Sequence, residues 1–434
     1  MPVRARRGVM RRRGIAESVS RRRGQAFLAA LVALTLLAWP VESGAVRRQR
    51  TVFLSQPPDW APQVDEDHKQ PSLAFQPAWT WSGFKSPLAG DPLACAGSIV
   101  AASRDGEIAA LEPMKGEARW VAALAEPVIQ GPASDGTRLF IATSRGRLHA
   151  LNGSDGASLW TTDLPAEPVV APRVLGARVL IGTADGSLLS IEKDSGRVAA
   201  TRLLPGRAST PAEPAPGSVL VGTDHGAVLA LEESSLEVRF QRDIGVPITS
   251  PPVFDGARVW FAAADRTVRC LRFRSGRERW VARTGAMCTA RPLVLGPYLY
   301  VLSYDNDIYV FGKRNGHQLT RVRLGHRLDA DAVVAQDHLF VVPFTEASIV
   351  GLTLPGLQKA GRFDLQAPGE WFTTAPLWLA DRVALGYGRS EGRIISLLVS
   401  KQVAQPKAPG ANKPDAKEPG PAAPPAADGT SPRH

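Results

Sequence analysis

The chain has 434 residues, of which 44% are hydrophobic and 21% charged, with 40 Gly and 36 Pro. This composition can bury a sizeable core, but so many turn-forming residues argue against an all-helical protein. The formal net charge is +11, yet residues 1–45 alone hold nine Arg, no Lys and two Glu, so residues 46–434 carry only +4. Without an excess of positive charge after residue 45, we expect no nucleic-acid partner.

The first element is a leader of the kind that exported proteins carry. Arginine runs precede an apolar stretch from Ala26 to Trp39, and Ser43-Gly44-Ala45 follows it. These are the parts of a signal peptide, so we predict that residues 1–45 are removed and that the protein is periplasmic. The alternative is an inner-membrane anchor facing the periplasm, although this stretch as a helix reaches only about 21 Å, short of the roughly 30 Å hydrocarbon core. We expect membrane contact only through this leader or through a partner.

A repeat of about forty residues follows a linker predicted at residues 46–70. The spacing between equivalent apolar residues that end a recurring strand is 40 residues in the first five steps, then 41 and 45. These residues are Leu111, Leu151, Ile191, Leu231, Leu271, Phe311, Leu352 and Leu397. A glycine follows five residues after most of them, at the offset position Gly356 in the seventh repeat, and Trp120, Trp160 and Trp280 come nine residues after theirs. Periods of this length are typical of solenoids and propellers.

Within one repeat, the turn residues divide the sequence into four short strands. In the second repeat the turns are Asp135-Gly136, Arg145-Gly146 and Asp155-Gly156, and such dipeptides favour tight hairpins. The third strand of each repeat is apolar on both of its alternating faces, so each sheet must be covered on two sides. We therefore predict an all-β fold, an eight-bladed β-propeller of four-stranded antiparallel blades at residues 71–400.

The eighth blade lacks a fourth strand of its own. After Leu397 the chain enters a Pro/Ala-rich tail at residues 401–434, which we predict to be disordered. An isolated strand at Leu73–Trp81 contains Trp79, which precedes Trp120 by 41 residues, one repeat length. We predict that this N-terminal strand completes blade eight beside residues 392–398 and so removes an exposed sheet edge.

The repeat pattern Ala-Leu-x4-Gly-x3-Trp resembles the tryptophan-docking repeat of the pyrroloquinoline-quinone (PQQ)-type propellers. Ala110–Trp120, Ala150–Trp160 and Cys270–Trp280 carry the likeness best, and it covers about residues 73–400. That family contains quinoprotein dehydrogenases and also non-enzymatic members, such as the propeller subunit of the bacterial outer-membrane β-barrel assembly machine. Repeats three, four, six and seven lack the Trp, which indicates a diverged member closer to the non-enzymatic kind.

A quinoprotein enzyme is expected to have vicinal cysteines or an aromatic floor under the cofactor, carboxylates and amides for a calcium ion, and a catalytic Asp. Cys95, Cys270 and Cys288 are not adjacent, and Cys270 stands in a column of small residues that we expect in the core. The seven histidines show no spacing typical of metal ligands. We therefore expect no catalytic residue, cofactor or metal, and PQQ with Ca²⁺ only if the protein is a dehydrogenase.

Two groups of residues are candidates for binding a partner. Tyr304, Asp305 and Asp307 form either an ordinary hairpin turn or a binding patch, because tyrosine suits surfaces that are both apolar and hydrogen-bonding. Trp371 and Phe372 lie where the repeat expands, and they either line the inner strand of blade eight or form an exposed hot spot.

We therefore predict a monomeric, non-catalytic scaffold for envelope proteins, with a role in outer-membrane protein assembly. A propeller presents loops at both ends of its channel, and function on such a fold resides in those loops. The alternatives are a PQQ-dependent dehydrogenase of the periplasm and a module that binds envelope polysaccharide.

Overall fold

The computed structural model describes residues 72–343 and 346–402. Within these ranges the chain forms thirty-two strands and no helix. No part of the described chain is therefore a helix of the length and apolarity needed to cross a bilayer. The predicted leader at 1–45 and linker at 46–70, and nearly all of the predicted tail, lie outside the described residues.

The strands form eight antiparallel sheets of four strands each. The first strand is β1 (Ser72–Trp81). Blades 1 and 2 consist of β2 (Leu93–Cys95), β3 (Ser98–Ala102), β4 (Glu107–Leu111), β5 (Ala118–Ala123), β6 (Val128–Ser134), β7 (Arg138–Thr143), β8 (Arg147–Asn152) and β9 (Ser158–Asp163). Blades 3 and 4 consist of β10 (Arg173–Leu175), β11 (Arg178–Gly182), β12 (Ser187–Glu192), β13 (Val198–Leu203), β14 (Glu213–Ala215), β15 (Ser218–Gly222), β16 (Ala227–Glu232) and β17 (Val238–Asp243).

The second half of the ring repeats this arrangement. Blades 5 and 6 consist of β18 (Val253–Phe254), β19 (Arg258–Ala263), β20 (Thr267–Arg272), β21 (Glu278–Arg283), β22 (Leu293–Leu295), β23 (Tyr298–Leu302), β24 (Asp307–Gly312) and β25 (Gln318–Arg323). Blade 7 consists of β26 (Val333–Ala335), β27 (His338–Val341), β28 (Ser348–Thr353) and β29 (Lys359–Asp364). Blade 8 contains β30 (Leu377–Leu379), β31 (Arg382–Tyr387) and β32 (Arg393–Gln402), and its fourth strand is β1. The predicted eight-bladed propeller is confirmed.

The ring closes through the N-terminal strand, as the sequence predicts. Strand β1 runs antiparallel to β32, from the pair Ser72 and Gln402 to the pair Trp81 and Ile394. This pairing gives blade 8 the outer strand that its own repeat lacks. All eight sheets therefore have four strands, and β32 extends through Lys401 and Gln402, the first two residues of the predicted tail.

The core consists of eight apolar clusters, one between each pair of neighbouring blades. The cluster at the closing seam, for example, joins Ile99 of blade 1 to Ala384 and Ile394 of blade 8. Because every sheet is apolar on both faces, each blade is buried by two neighbours. Cys270 is buried in the cluster between blades 5 and 6, as its column predicts.

Tryptophan side chains fasten consecutive blades to one another. Trp120 Nε1 in blade 1 donates a hydrogen bond of 3.1 Å to the carbonyl of Gly153 in blade 2. The Trp120 ring covers Gly156, where a Cβ atom would lie only 2.7 Å from it. A β-bulge between Ala110 and Leu111 shifts the register opposite the Trp120 strand, and bulges of this kind re-aim side chains.

Two of the turns between third and fourth strands have a left-handed residue that is not glycine. Leu236 has a φ of 59° and Leu357 a φ of 55°, where the other turns of this type have Gly. The prediction that Gly356 is the turn residue of the seventh repeat was wrong by one position. The extra residue in that repeat shifts the turn, so Leu357 takes the position of the glycine.

Candidate functional site

The ring has two ends, which differ in the chain segments that form them. At one end, turns between the second and third strands, such as 103–106, lie beside connections to the next blade, such as 124–127. The hydrogen bond of 2.8 Å from Leu124 N to Gly106 O shows this proximity. We call this end the connection face. Turns between the first and second strands and between the third and fourth, such as 112–117, form the opposite end, which we call the hairpin face.

A network of charged side chains crosses the central channel. Glu213 begins the inner strand of blade 4 and is only 2% exposed. Arg291 of blade 6 donates to Glu213 through both terminal nitrogens, one of them at 2.6 Å. Arg173 of blade 3 lies 3.5 Å from the same carboxylate, and Arg291 N donates to Asp331 of blade 7 at 2.6 Å.

This network lies near the axis of the ring, because Arg291 reaches blade 4 without passing through blade 5. It joins four blades through charged side chains and the backbone amide of Arg291. Burial raises the pKa of Glu213, and the positive charges of Arg291 and Arg173 partly offset that shift. A carboxylate that is desolvated in this way is stabilised by the fork of donors that an arginine supplies.

This network was not predicted from the sequence. Arg291, Asp331 and Asp91 stand at the same position of the repeat, where the other blades have Gly, Ala or Pro. Asp91 also joins two blades, since it accepts a hydrogen bond of 2.7 Å from the backbone of Ala375. Charged residues in a column of otherwise small residues or proline were the signal that could have revealed the channel lining.

Tyr304, predicted as a partner-binding residue, lies half-buried on the connection face of blade 6. The guanidinium of Arg327 stacks 3.6 Å from the centroid of its ring, a cation–π contact. Its hydroxyl accepts a hydrogen bond of 2.9 Å from Thr289. Neighbouring Asp305 accepts a hydrogen bond of 2.5 Å from Tyr309, and its other carboxylate oxygen is buried without a hydrogen-bond partner.

Asp307, the third residue of this group, is buried within blade 6. It is 1% exposed, and its carboxylate accepts hydrogen bonds from Arg323 at 3.0 and 3.3 Å. Arg321 lies 3.5 Å away on the same neighbouring strand. The Asp307 carboxylate is therefore bound by arginines of its own blade. Only Tyr304 and Asp305 of this group remain partly accessible.

Trp371 and Phe372 lie in the connection between blades 7 and 8, before the inner strand β30. The half-buried Trp371 ring faces the guanidinium of Arg389 at 4.6 Å. Phe372 is 2% exposed and packs edge-on against Tyr387. Of the two, only Trp371 has surface to offer a partner, and it lies on the same face as Tyr304 but two blades away.

Two features of the described residues concern the quinone cofactor and metal ion of the dehydrogenase alternative. Within residues 72–343 and 346–402, no group of three or more His, Cys, Asp or Glu is placed to hold a metal. All three cysteines there are unpaired, buried thiols. Burial raises the pKa of Cys270 to about 12 and that of Cys288 to about 11, so these thiols are suited to packing and not to chemistry.

A family model described as outer membrane protein assembly factor BamB matches residues 104–206 and 200–297. The docked tryptophans and the eight closed blades agree with this match. The chain is a PQQ-type repeat propeller. No curated protein matches the sequence significantly.

Solved structures that resemble this PQQ-type propeller fall into different functional classes. BamB from Moraxella catarrhalis superposes with a TM-score of 0.62 at 17% identity, over 77% of this chain and 99% of that one. The computationally designed Ika8 protein gives 0.66 at 15%, over 74% and 99%. Quinohemoprotein alcohol dehydrogenase from Comamonas testosteroni gives 0.62 at 10%, over 78% of each chain. An assembly factor and a dehydrogenase thus share this fold, so the fold alone does not decide between these two functions.

Proposed function

We propose that this PQQ-type propeller is a non-catalytic scaffold that binds proteins in the bacterial cell envelope and takes part in outer-membrane protein assembly. The observation that carries the proposal is the ion-pair network across the channel, in which Arg291 binds the buried Glu213. A ligand that used this carboxylate would have to displace Arg291 from it. Removing one partner from a buried pair is costly, about 3 to 5 kcal/mol, which favours a structural role for the channel.

The two ends of the ring supply the binding surface in this proposal. The connection face presents Tyr304 beside Arg327 and Trp371 beside Arg389, two partly exposed aromatic–arginine pairs. Aromatic and arginine side chains are the types enriched at protein interfaces. The envelope location rests on the predicted leader at 1–45 and agrees with the description of the matched family, an outer-membrane protein assembly factor.

Reconstitution with cofactor tests the non-catalytic part of the proposal. Purified chain 46–434 is titrated with PQQ and Ca²⁺, and binding is followed by quinone absorbance together with dye-linked oxidation of alcohols and sugars. We expect neither saturable binding nor dye reduction. Stoichiometric uptake of the quinone with dye reduction would establish the dehydrogenase alternative instead.

The assembly role is tested in cells that lack the protein. We expect a deletion strain to contain less folded outer-membrane β-barrel protein, measured by heat-dependent mobility on gels, and the full chain to restore the amount. A double variant, Tyr304→Ala with Trp371→Ala, should restore less if the connection face binds the partner. Unchanged β-barrel levels, combined with retention of the purified chain on cell-wall glycans, would replace this proposal with polysaccharide binding.

A further inference from the structure

Most blades of the first half carry an acidic residue at the end of the third strand. In blade 3 this residue is Glu192, which pairs in register with Arg178 of the second strand. The Arg178 Nη1 atom lies 3.3 Å from the Glu192 carboxylate, and Arg197 donates to it at 3.2 Å. Blades 1 and 4 have Glu112 and Glu232 at this position. In blade 3 two arginines thus share a carboxylate on the hairpin face, and in blade 4 Arg239 lies 3.9 Å from Glu232.

Blade 5 reverses the charge at this position. Arg272 replaces the glutamate and stands in register opposite Arg258, so two like charges face each other across neighbouring strands. Like-charged pairs in direct opposition destabilise a sheet unless another group compensates. Arg258 donates to the backbone carbonyl of Lys313 at 2.8 Å, but this contact supplies no negative charge.

The charge is also reversed at a second position, in the neighbouring blade 6. In blade 2, Arg138 has the same position as Arg258, and its guanidinium lies 2.6 Å from Asp194 of blade 3. The residue at the place of Asp194 in the adjoining blade 6 is Arg314. Arg258 therefore has neither of the two carboxylates that pair with the equivalent arginines of blades 2 and 3.

These substitutions create a basic cleft on the hairpin face. Its volume is about 490 Å³, and it is lined by Arg258, Arg272, Arg274, Arg279 and Phe273 together with two turn residues. Among the described residues, no acidic side chain pairs with Arg272, Arg274 or Arg279. The nearby Asp255 is held by Lys313 at 2.9 Å. We call this feature the arginine cleft.

We propose that the arginine cleft binds a carboxylate from an acidic segment of a partner protein, at the place that Glu192 occupies in blade 3. Arginine forks match carboxylates in a planar, bidentate geometry, and blade 3 holds such a carboxylate at the equivalent position. Phe273, half-buried against Phe254, offers apolar contact to the methylene groups of an acidic side chain. The choice of a protein partner rests on the scaffold function proposed above, which the cleft makes more specific.

The test uses a fluorescein-labelled hexaglutamate peptide and measures its binding by fluorescence anisotropy. The decisive variant is Arg272→Glu, because it supplies the missing carboxylate within the chain and so occupies the cleft. We expect peptide binding to weaken by about tenfold or more, as for the loss of a charge-assisted contact. Thermal unfolding should show a stability equal to or above that of the natural chain, since Arg258 gains an acidic neighbour.

A matched control makes the same change of charge elsewhere. Arg202→Glu, on the exposed outer strand of blade 3, should leave peptide binding within about twofold, since screened charges at a distance contribute little. Equal weakening by both variants, or no weakening by Arg272→Glu, would overturn the proposal. Tighter binding of tripolyphosphate than of the peptide, lost in Arg272→Glu, would also overturn it and assign the cleft to phosphates. These results leave the cofactor and deletion tests untouched, so a failure of the cleft is distinguishable from a failure of the scaffold function.

Discussion

The indole of Trp79 donates a hydrogen bond of 2.9 Å to the carbonyl of Pro113, across the seam where the beginning and the end of the propeller meet. The ring of Trp79 covers Gly116, just as Trp120 covers Gly156 one blade further on. The seam therefore uses the same contact as the interfaces between consecutive blades. Closure of the ring depends on a side chain that comes from the N-terminal strand.

We expect Trp79→Ala to lower the free energy of unfolding by about 2 to 3 kcal/mol, somewhat less than the loss of a fully buried tryptophan. The change removes both the covering of Gly116 and the hydrogen bond to Pro113. Urea unfolding followed by circular dichroism measures the effect. Leu159→Ala is the control, since Leu159 is 48% exposed on an outer strand and should cost under about 0.5 kcal/mol. Similar losses in both variants would contradict the role of Trp79 in closure.

A methyl group on Gly116 should reduce the stability of the fold more than one on Gly136. Both glycines have a positive φ, 75° and 94°, so either substitution strains the backbone by about 1 to 2 kcal/mol. A Cβ on Gly116 would come within 2.4 Å of Trp79, whereas one on Gly136 meets nothing within 4 Å. We expect Gly116→Ala to cost about 1 to 3 kcal/mol more than Gly136→Ala. This extra cost should vanish when both changes are made in the Trp79→Ala chain, and its persistence would show that another contact causes it.

Breaking the channel network from its two sides should have unequal effects. Arg291 donates to Glu213 at 2.6 Å, while Arg173 lies 3.5 Å from that carboxylate and is more exposed. We expect Arg291→Met to cost about 3 kcal/mol, because it leaves a buried carboxylate poorly paired, and Arg173→Met about 1 kcal/mol or less. Chemical denaturation of the two variants gives the comparison. A larger loss for Arg173→Met would mean that the fork of Arg291 is not the main partner of Glu213.

The three thiols should be unreactive in the folded protein. Burial raises the pKa values of Cys95, Cys270 and Cys288, to about 12 and about 11 for the last two. At pH 8 these side chains are therefore protonated as well as enclosed, and a thiol must be ionised and accessible to react. Titration with Ellman's reagent should detect no thiol in the native chain and all three after unfolding in guanidinium chloride. Rapid reaction of the native chain would contradict the buried positions.

Glu126 should make stability depend on pH in the acid range. Its carboxylate accepts hydrogen bonds from Thr143 at 2.5 Å and from Arg147 at 2.6 Å, and these contacts lower its pKa below the usual 4.5. The unfolded chain then binds a proton more readily, so the stabilisation is present above pH 4.5 and is lost as the pH falls below it. Glu126→Gln should therefore destabilise the protein at pH 7 and much less at pH 3. A deficit of the same size at both values, in urea unfolding, would rule out this linkage.

The fold could be predicted because the repeat and the packing impose the same pattern. Every blade buries both of its faces, so apolar residues return at the same positions every forty residues, from Leu111 onwards. Trp79 lies one repeat length before Trp120, and this spacing was enough to predict the closing strand. The turn at Leu357 was misplaced by one residue because the repeat lengthens there and no glycine marks the position.

The functional regions were harder to predict, because they join residues from separate repeats. Glu213 and Arg291 are 78 residues apart and meet only where inner strands converge on the axis. The burial of Asp307 depends on Arg323 in the next strand, a contact that its turn sequence does not reveal. The arginine cleft was visible in the sequence as a change of charge within a column, but its meaning required the ion pair that Arg178 and Glu192 form in blade 3.

Strand β1 is among the first parts of the propeller to be synthesised, and its partner β32 is the last. Seven blades lie between them along the chain, so this pairing has the greatest sequence separation in the fold and is slow to form. Until β32 arrives, the edge of β1 stays open and can pair with other chains. A polypeptide that ends before β32 cannot bury this edge. Incomplete molecules should therefore be more susceptible to proteases than complete ones.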